Sequence, residues 1–123
     1  MKRTLSLLLL LLFSVQLFAD NTETVIILNG KGGHRSDLPL YFDIPTAFYI
    51  YGPKTQDIII DGNGVVSYYD VEISSATTNT VEMSTQVSGT CDTFDISSLP
   101  AGAHVITIES PSGNIYEGTF TKY

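Results

Sequence analysis

Two histidines (His34 and His104), one cysteine (Cys91) and thirteen carboxylates are the groups in this 123-residue chain with acid–base, nucleophilic or metal-binding potential. Nucleophilic catalysis needs a base held against a Ser, Thr or Cys. His34 lies in the run Gly30-Lys31-Gly32-Gly33-His34-Arg35, too rich in glycine to hold a ring in place, and His104 alternates with Ile106 and Ile108, which places it at the rim of a core with a backbone partner. Cys91 follows Ser88-Gly89-Thr90 and precedes Asp92, a turn beside an acid that works against a reactive thiolate; the expectation is an incidental, partly buried thiol. Lys31 is followed by Gly32 where a phosphate-cradling loop requires Ser or Thr and a helix. Asp57 to Gly64 ends like a calcium loop, yet Ile59 stands where an acidic ligand is needed. Asp70 and Glu72 share a strand face, as a glycosidase pair would, but so do solvated acids on any half-exposed strand. No zinc-type spacing is present. The reading is therefore no catalytic residues, no metal and no cofactor.

What remains is aromatic. Tyr41-Phe42, Phe48-Tyr49 and Tyr68-Tyr69 are adjacent pairs, so in a strand one member of each faces away from the core. With Phe48 and Ile50 inward, Tyr49 and Tyr51 face outward, and Tyr68 shares the face of Asp70 and Glu72. Tyr49, Tyr51 and Tyr68 are the candidate ligand-binding residues, because exposed tyrosines give rigid, amphipathic contact area for a protein or a glycan; the lack of Trp counts against the glycan.

The elements that position these residues are strands. β-branched and aromatic residues alternate in short runs, punctuated by Gly, Pro, Asn, Asp and Ser. Runs begin at Thr24, Ala47, Asp57, Val65, Val81 and Phe94, and His104–Glu109 with Tyr116–Phe120 forms a terminal hairpin. Asn29-Gly30 ends the first run, and Asp61-Gly62-Asn63-Gly64 has the chemistry of a tight hairpin. In the run from Val65, the set Val65, Ser67, Tyr69, Val71 and Ile73 is the core face, since the other set carries unpaired acids. The expected fold is all-β: an immunoglobulin-like antiparallel sandwich of about seven strands.

Lys2 and Arg3, the leucine run Leu7–Leu12 and Ala19 before Asp20 have the order of a cleavable signal peptide. The apolar stretch Thr4–Ala19 has 16 residues, short of the roughly 20 that span a bilayer. The expected organisation is a signal peptide over 1–19 and one domain over 20–123. The secreted part keeps four of the six basic residues and all 13 acidic ones, a formal charge of −9. Without a basic cluster nucleic acid is not a partner, and no membrane insertion is expected after cleavage. The partner is an unidentified protein or glycan, and the lone cysteine leaves an internal disulfide impossible.

Between Asp70 and Phe120 the runs Tyr-Asp-Val-Glu-Ile, Phe-Asp-Ile-Ser-Ser-Leu-Pro-Ala-Gly, Ile-Thr-Ile-Glu and Tyr-Glu-Gly-Thr-Phe resemble the DUF3244 family, short secreted proteins of unknown function from gut Bacteroidetes. The last hairpin also resembles the C-terminal sorting domain of type IX secretion, with His104 where related hairpins carry Tyr. The resemblance implies an immunoglobulin-like sandwich and carries over no catalytic residue. Together these readings give a secreted, non-enzymatic binding or scaffolding protein, periplasmic or extracellular in a Gram-negative bacterium. The alternatives are a small secreted hydrolase or hydrolase inhibitor, and a structural subunit assembling by strand exchange.

Overall fold

Alternation with a period of two sends every second side chain of a strand to one face, and the chain uses it to build nine strands among its described residues. The computed structural model describes residues 22–32 and 42–123. The expected signal peptide and His34 lie outside them. The strands are β1 (Thr22–Ile26), β2 (Asn29–Gly32), β3 (Thr46–Tyr51), β4 (Gln56–Asp61), β5 (Tyr68–Ser75), β6 (Val81–Ser88), β7 (Cys91–Asp95), β8 (Gly102–Glu109) and β9 (Ile115–Lys122). They form two sheets, β1-β3-β4-β7 and β2-β9-β8-β5-β6, and every pairing is antiparallel. The inward faces meet in one core that includes Ile58 and Ile60 from the first sheet and Tyr69, Ile73, Ile106 and Ile108 from the second. Burying each such side chain contributes about 1.5–3 kcal/mol, which is how the domain holds together without a disulfide. Ile96 and Leu99, after β7, also reach this core.

Three turns close hairpins. Gly52–Thr55 joins β3 to β4, with the Gly52 N–H donating to the Thr55 carbonyl at 3.1 Å. Between β5 and β6, Asn79 adopts a positive φ of 58°, which its short polar side chain tolerates. Ser110–Asn114 joins β8 to β9, and the Gly113 N–H donates back to the Ser110 carbonyl at 2.9 Å.

Four expectations are corrected. There are nine strands among the described residues, not about seven. Asn29-Gly30 does not end an element: it opens β2, which pairs with β9 after the chain has changed sheets at Ile27-Leu28. That crossing runs against Gly118, where a Cβ would lie 2.7 Å from the Ile27 carbonyl oxygen. Asp61–Gly64 is not a hairpin either, because β4 and β5 belong to different sheets. It is a crossover, locked to the β6–β7 turn by Gly62 N–H to Thr90 O (2.7 Å) and Gly64 N–H to Gly89 O (3.2 Å). Finally, Val65 and Ser67 precede β5 and are exposed, while Tyr69, Val71 and Ile73 are buried as expected.

Candidate interaction face

The phase of β3 decides which aromatics are available. Ala47 and Tyr49 are buried, and Phe48 and Ile50 are half-buried on the other face. The outward placement of Tyr49 is therefore corrected: its ring packs in the core, 5.5 Å from Phe120. The phase is set by what the hydroxyl can reach. Tyr49 OH donates to Gln56 Oε1 and accepts from the Tyr123 N–H at 3.1 Å, so a buried ring ends on satisfied polar atoms at the open end of the sandwich. Burial also pushes the Tyr49 hydroxyl above its ordinary pKa.

Tyr51, 38 % exposed, meets Tyr123 edge-on at 5.3 Å at that same end. Tyr68 is half-buried at the start of β5, paired with Ser88, at the opposite end of the molecule. The three candidate tyrosines do not form one platform.

What β3 turns outward joins a larger feature. Residues directly opposite each other in an antiparallel pair share a face. The register aligns Val25, Phe48, Ile59 and Thr93 across all four strands. Val25 is 57 % exposed, and Phe48 and Ile59 are half-buried. Two residues along the strands lies the row Glu23, Ile50, Asp57 and Asp95, and on the other side Thr46, Asp61 and Cys91. An apolar row thus crosses the outer face of this sheet between a rim of three carboxylates, Glu23, Asp57 and Asp95, and a rim that carries one, Asp61. Asp57 and Asp95 are direct cross-strand partners, an arrangement of like charges that is unfavourable by itself. Asp95, fully in solvent, is held below the usual carboxylate range mainly by the Ser97 hydrogen bonds, one of them from the Ser97 N–H at 2.7 Å. Cys91 on the rim is exposed, which corrects the expectation of a partly buried thiol.

The outer face of the second sheet is different. Asp70, Glu72 and Glu109 surround Ser84, Thr85 and Thr107 in a shallow depression of about 400 Å³. Asp70 accepts a hydrogen bond from Gln86 Nε2 at 3.1 Å. This is a solvated polar face, as the alternation in β5 implies. Among the described residues no group of three or more His, Cys, Asp or Glu is placed to hold a metal ion.

Two buried polar clusters tie strands and turns together. His104, at the rim as expected, has Nε2 2.7 Å from the Pro100 carbonyl, and its ring stacks 5.5 Å from Phe120. Its Nδ1 lies 2.8 Å from Glu82 Oε1, a contact with the geometry of an ion pair and not of an aligned hydrogen bond. Simple alternation puts Glu82 in solvent; a bulge, in which Ile73 faces Met83 while Ser74 faces Val81, makes Glu82 the extra residue and brings it to His104. Replacing His104 with Tyr should therefore lower stability by about 1–3 kcal/mol, because Glu82 loses its buried partner; the urea midpoint measures this. Sequence reasoning alone expects that substitution to preserve or raise stability, since an aromatic with a hydroxyl can fill the rim and reach a backbone partner.

The second cluster is centred on Asp43, which is fully buried. Its carboxylate accepts from Ser112 Oγ (2.5 Å), Asn114 Nδ2 (2.9 Å) and Tyr116 OH, and its carbonyl accepts from Tyr69 OH (2.7 Å). Burial is the largest influence on the Asp43 carboxyl and pushes its pKa up, but hydrogen bonds from Ser110, Ser112, Tyr116 and Asn114 together bring it below the ordinary value. Burial, helped by the Asp43 charge, pushes the Tyr69 hydroxyl up to about 12. Burial and the Asp43 hydrogen bond raise Tyr116 as well. The sequence holds no local signal for Asp43: the partners of its carboxylate lie about seventy positions away, in the β8–β9 turn and at the start of β9.

No protein-family model matches this sequence, and no curated protein matches it. A solved structure does. The sandwich is similar to that of a DUF3244 family protein. That protein, from Bacteroides vulgatus, has an immunoglobulin-like β-sandwich fold, and the two superpose with a TM-score of 0.62. The match covers 83 % of this chain and 100 % of the other at 16 % sequence identity. At that identity the likeness establishes the fold: two antiparallel sheets in the immunoglobulin-like arrangement, shared with a DUF3244 protein.

Proposed function

We propose that this chain is a secreted, non-enzymatic binding or scaffolding domain of the DUF3244 type, which engages a partner through the outer face of the β1-β3-β4-β7 sheet. The observation that carries the reading is the row Val25, Phe48 and Ile59, an apolar stripe across a sheet face that has no second layer on that side among the described residues. A solvated sheet face has no use for such a row, whereas a contact surface does. The groups best suited to chemistry, His104 and Asp43, are buried and occupied by Pro100, Glu82, Ser112, Asn114 and Tyr116. Secretion is supported by Lys2, Arg3 and the leucine run of the first 19 residues.

A second contact site is favoured by the exposed Tyr51–Tyr123 pair, which retains one of the three candidate tyrosines. Tyr49 serves as its support and Tyr68 has no part in it.

The test is capture of partners from the native envelope by the tagged protein and by its Phe48→Ser, Ile59→Ser and Tyr51→Ala variants. A partner that is retained by Tyr51→Ala and lost by the two sheet-face variants is the expected result. A partner retained by both sheet-face variants removes the proposed face.

A further inference from the structure

We infer that the occupant of the β1-β3-β4-β7 face is an amphipathic α-helix of a partner protein, with its apolar stripe flanked by Lys or Arg. This rests on the binding role proposed above and adds the chemistry of the partner.

The dimensions come from the register. Val25, Phe48 and Ile59 lie on three adjacent strands, each about 4.8 Å from the next, so the apolar row runs perpendicular to the strands for about 10 Å. The carboxylates of Glu23, Asp57 and Asp95 lie two residues to one side of it, and Asp61 two residues to the other. At about 3.4 Å per residue the two rims are about 13–14 Å apart. A helix with its side chains is about 10–12 Å across. Laid along the row, it puts its apolar face on Phe48 and its flanks within reach of a carboxylate on either side, Asp57 or Asp95 on one and Asp61 on the other.

Charge selects the sign. One rim carries Glu23, Asp57 and Asp95 and the other Asp61 alone; Lys122 offsets part of the charge of Asp95, and Asp57 faces Asp95 directly, a repulsion that cations on the partner relieve further. A second copy of this chain brings the same acidic rims to the contact and is disfavoured. Anionic lipid headgroups are disfavoured for the same reason.

The probe is a fluorescently labelled helical peptide of Leu and Lys with one apolar stripe, compared with its Leu and Glu counterpart by anisotropy against the purified protein. The Leu/Lys helix should bind and the Leu/Glu helix should not. Phe48→Ser and Ile59→Ser should each weaken binding about tenfold or more. Asp57→Asn with Asp95→Asn should weaken it several-fold and flatten its salt dependence. Asp70→Asn with Glu72→Gln, on the other sheet, should change nothing. Melting temperatures of all variants separate loss of binding from loss of fold. As a measure that needs no variant, the probe should slow amide exchange in β3 and β4 of the wild-type protein.

Equal binding of both helices overturns the inference, as does a loss of binding confined to the Asp70/Glu72 variant. A native partner that needs Phe48 but is indifferent to salt and to Asp57→Asn also overturns it, and leaves the binding role of the face standing.

Discussion

Replacing Asp43 with alanine should destabilise the fold by about 3–5 kcal/mol, read as a fall in the urea midpoint of a chain that still makes sheet. The side chain is fully buried and accepts from Ser112, Asn114 and Tyr116, while Tyr69 holds its carbonyl. Removing the acceptor strands several buried donors at once, and each unsatisfied group costs about 1–3 kcal/mol less any relaxation. Asp43→Asn keeps the shape and one oxygen for Asn114 and Tyr116 but places an NH2 group where Oδ2 accepts from Ser112, so a smaller loss of about 2 kcal/mol is expected.

The same cluster sets an acid limb. The folded-state pKa of Asp43 is below that of an unfolded aspartate, so folding favours its ionised form. Its contribution is complete well above pH 4 and is lost as the pH falls through the depressed folded value. Asp95, also lowered, adds to this limb, but its full exposure makes its share small. Stability measured from pH 6 down to pH 2 should fall in the wild type, and Asp43→Asn should remove most of the slope. An unchanged slope in that variant would show that other carboxylates dominate acid unfolding.

A comparably large effect is expected at Gly89. A Cβ there would lie 1.8 Å from the Val66 carbonyl oxygen and 2.7 Å from its carbon, both backbone atoms that have nowhere to go. Gly62, on the facing crossover, is as tight: its Cβ would lie 2.0 Å from the Gly89 carbonyl oxygen. Gly89→Ala should cost about 3 kcal/mol or more, since the two inter-sheet crossovers must separate and give up the bonds that join them. Gly64 provides the control. It has a φ of 78° and its nearest neighbour to a new Cβ is 3.8 Å away, so alanine there meets only backbone strain of about 1–2 kcal/mol. Equal losses at 64 and 89 in urea titrations would refute the close packing of the crossovers.

How much of this was legible before the structure depends on where each signal is stored. The core face of β5 at Tyr69, Val71 and Ile73 follows from alternation and from the cost of burying Asp70 or Glu72, and it holds; the strand runs hold only in part, since Asn29–Gly32 carries no alternation signal for β2 and Val65–Ser67 precede β5. Alternation gives the wrong phase for β3, because Phe48 and Ile50 are more apolar than Tyr49 and Tyr51; what decides it is the reach of Tyr49 OH to Gln56 and to the distant Tyr123. Asp61-Gly62-Asn63-Gly64 has turn residues for two different reasons. Gly64 supplies a positive φ, but Gly62 is there for a backbone contact with Gly89, which local chemistry cannot announce. Glu82 reads as solvent-facing until a bulge turns it, and Asp43 reads as an ordinary loop acid. The apolar row is hidden for the same reason as the phase of β3: with Phe48 inward, Val25 and Ile59 have nothing to align with.

The proposed binding surface of this protein is the outer face of the β1-β3-β4-β7 sheet. It is tested most directly by the affinity of a captured envelope partner for the wild type and for Phe48→Ser, with the melting temperature of each measured alongside. An affinity loss of about 2 kcal/mol, roughly thirtyfold, is expected at an unchanged melting temperature, because Phe48 sits at the centre of the apolar row and outside the core. An unchanged affinity for Phe48→Ser, together with a loss for Tyr51→Ala, would contradict the claim and place the contact at the Tyr51–Tyr123 end.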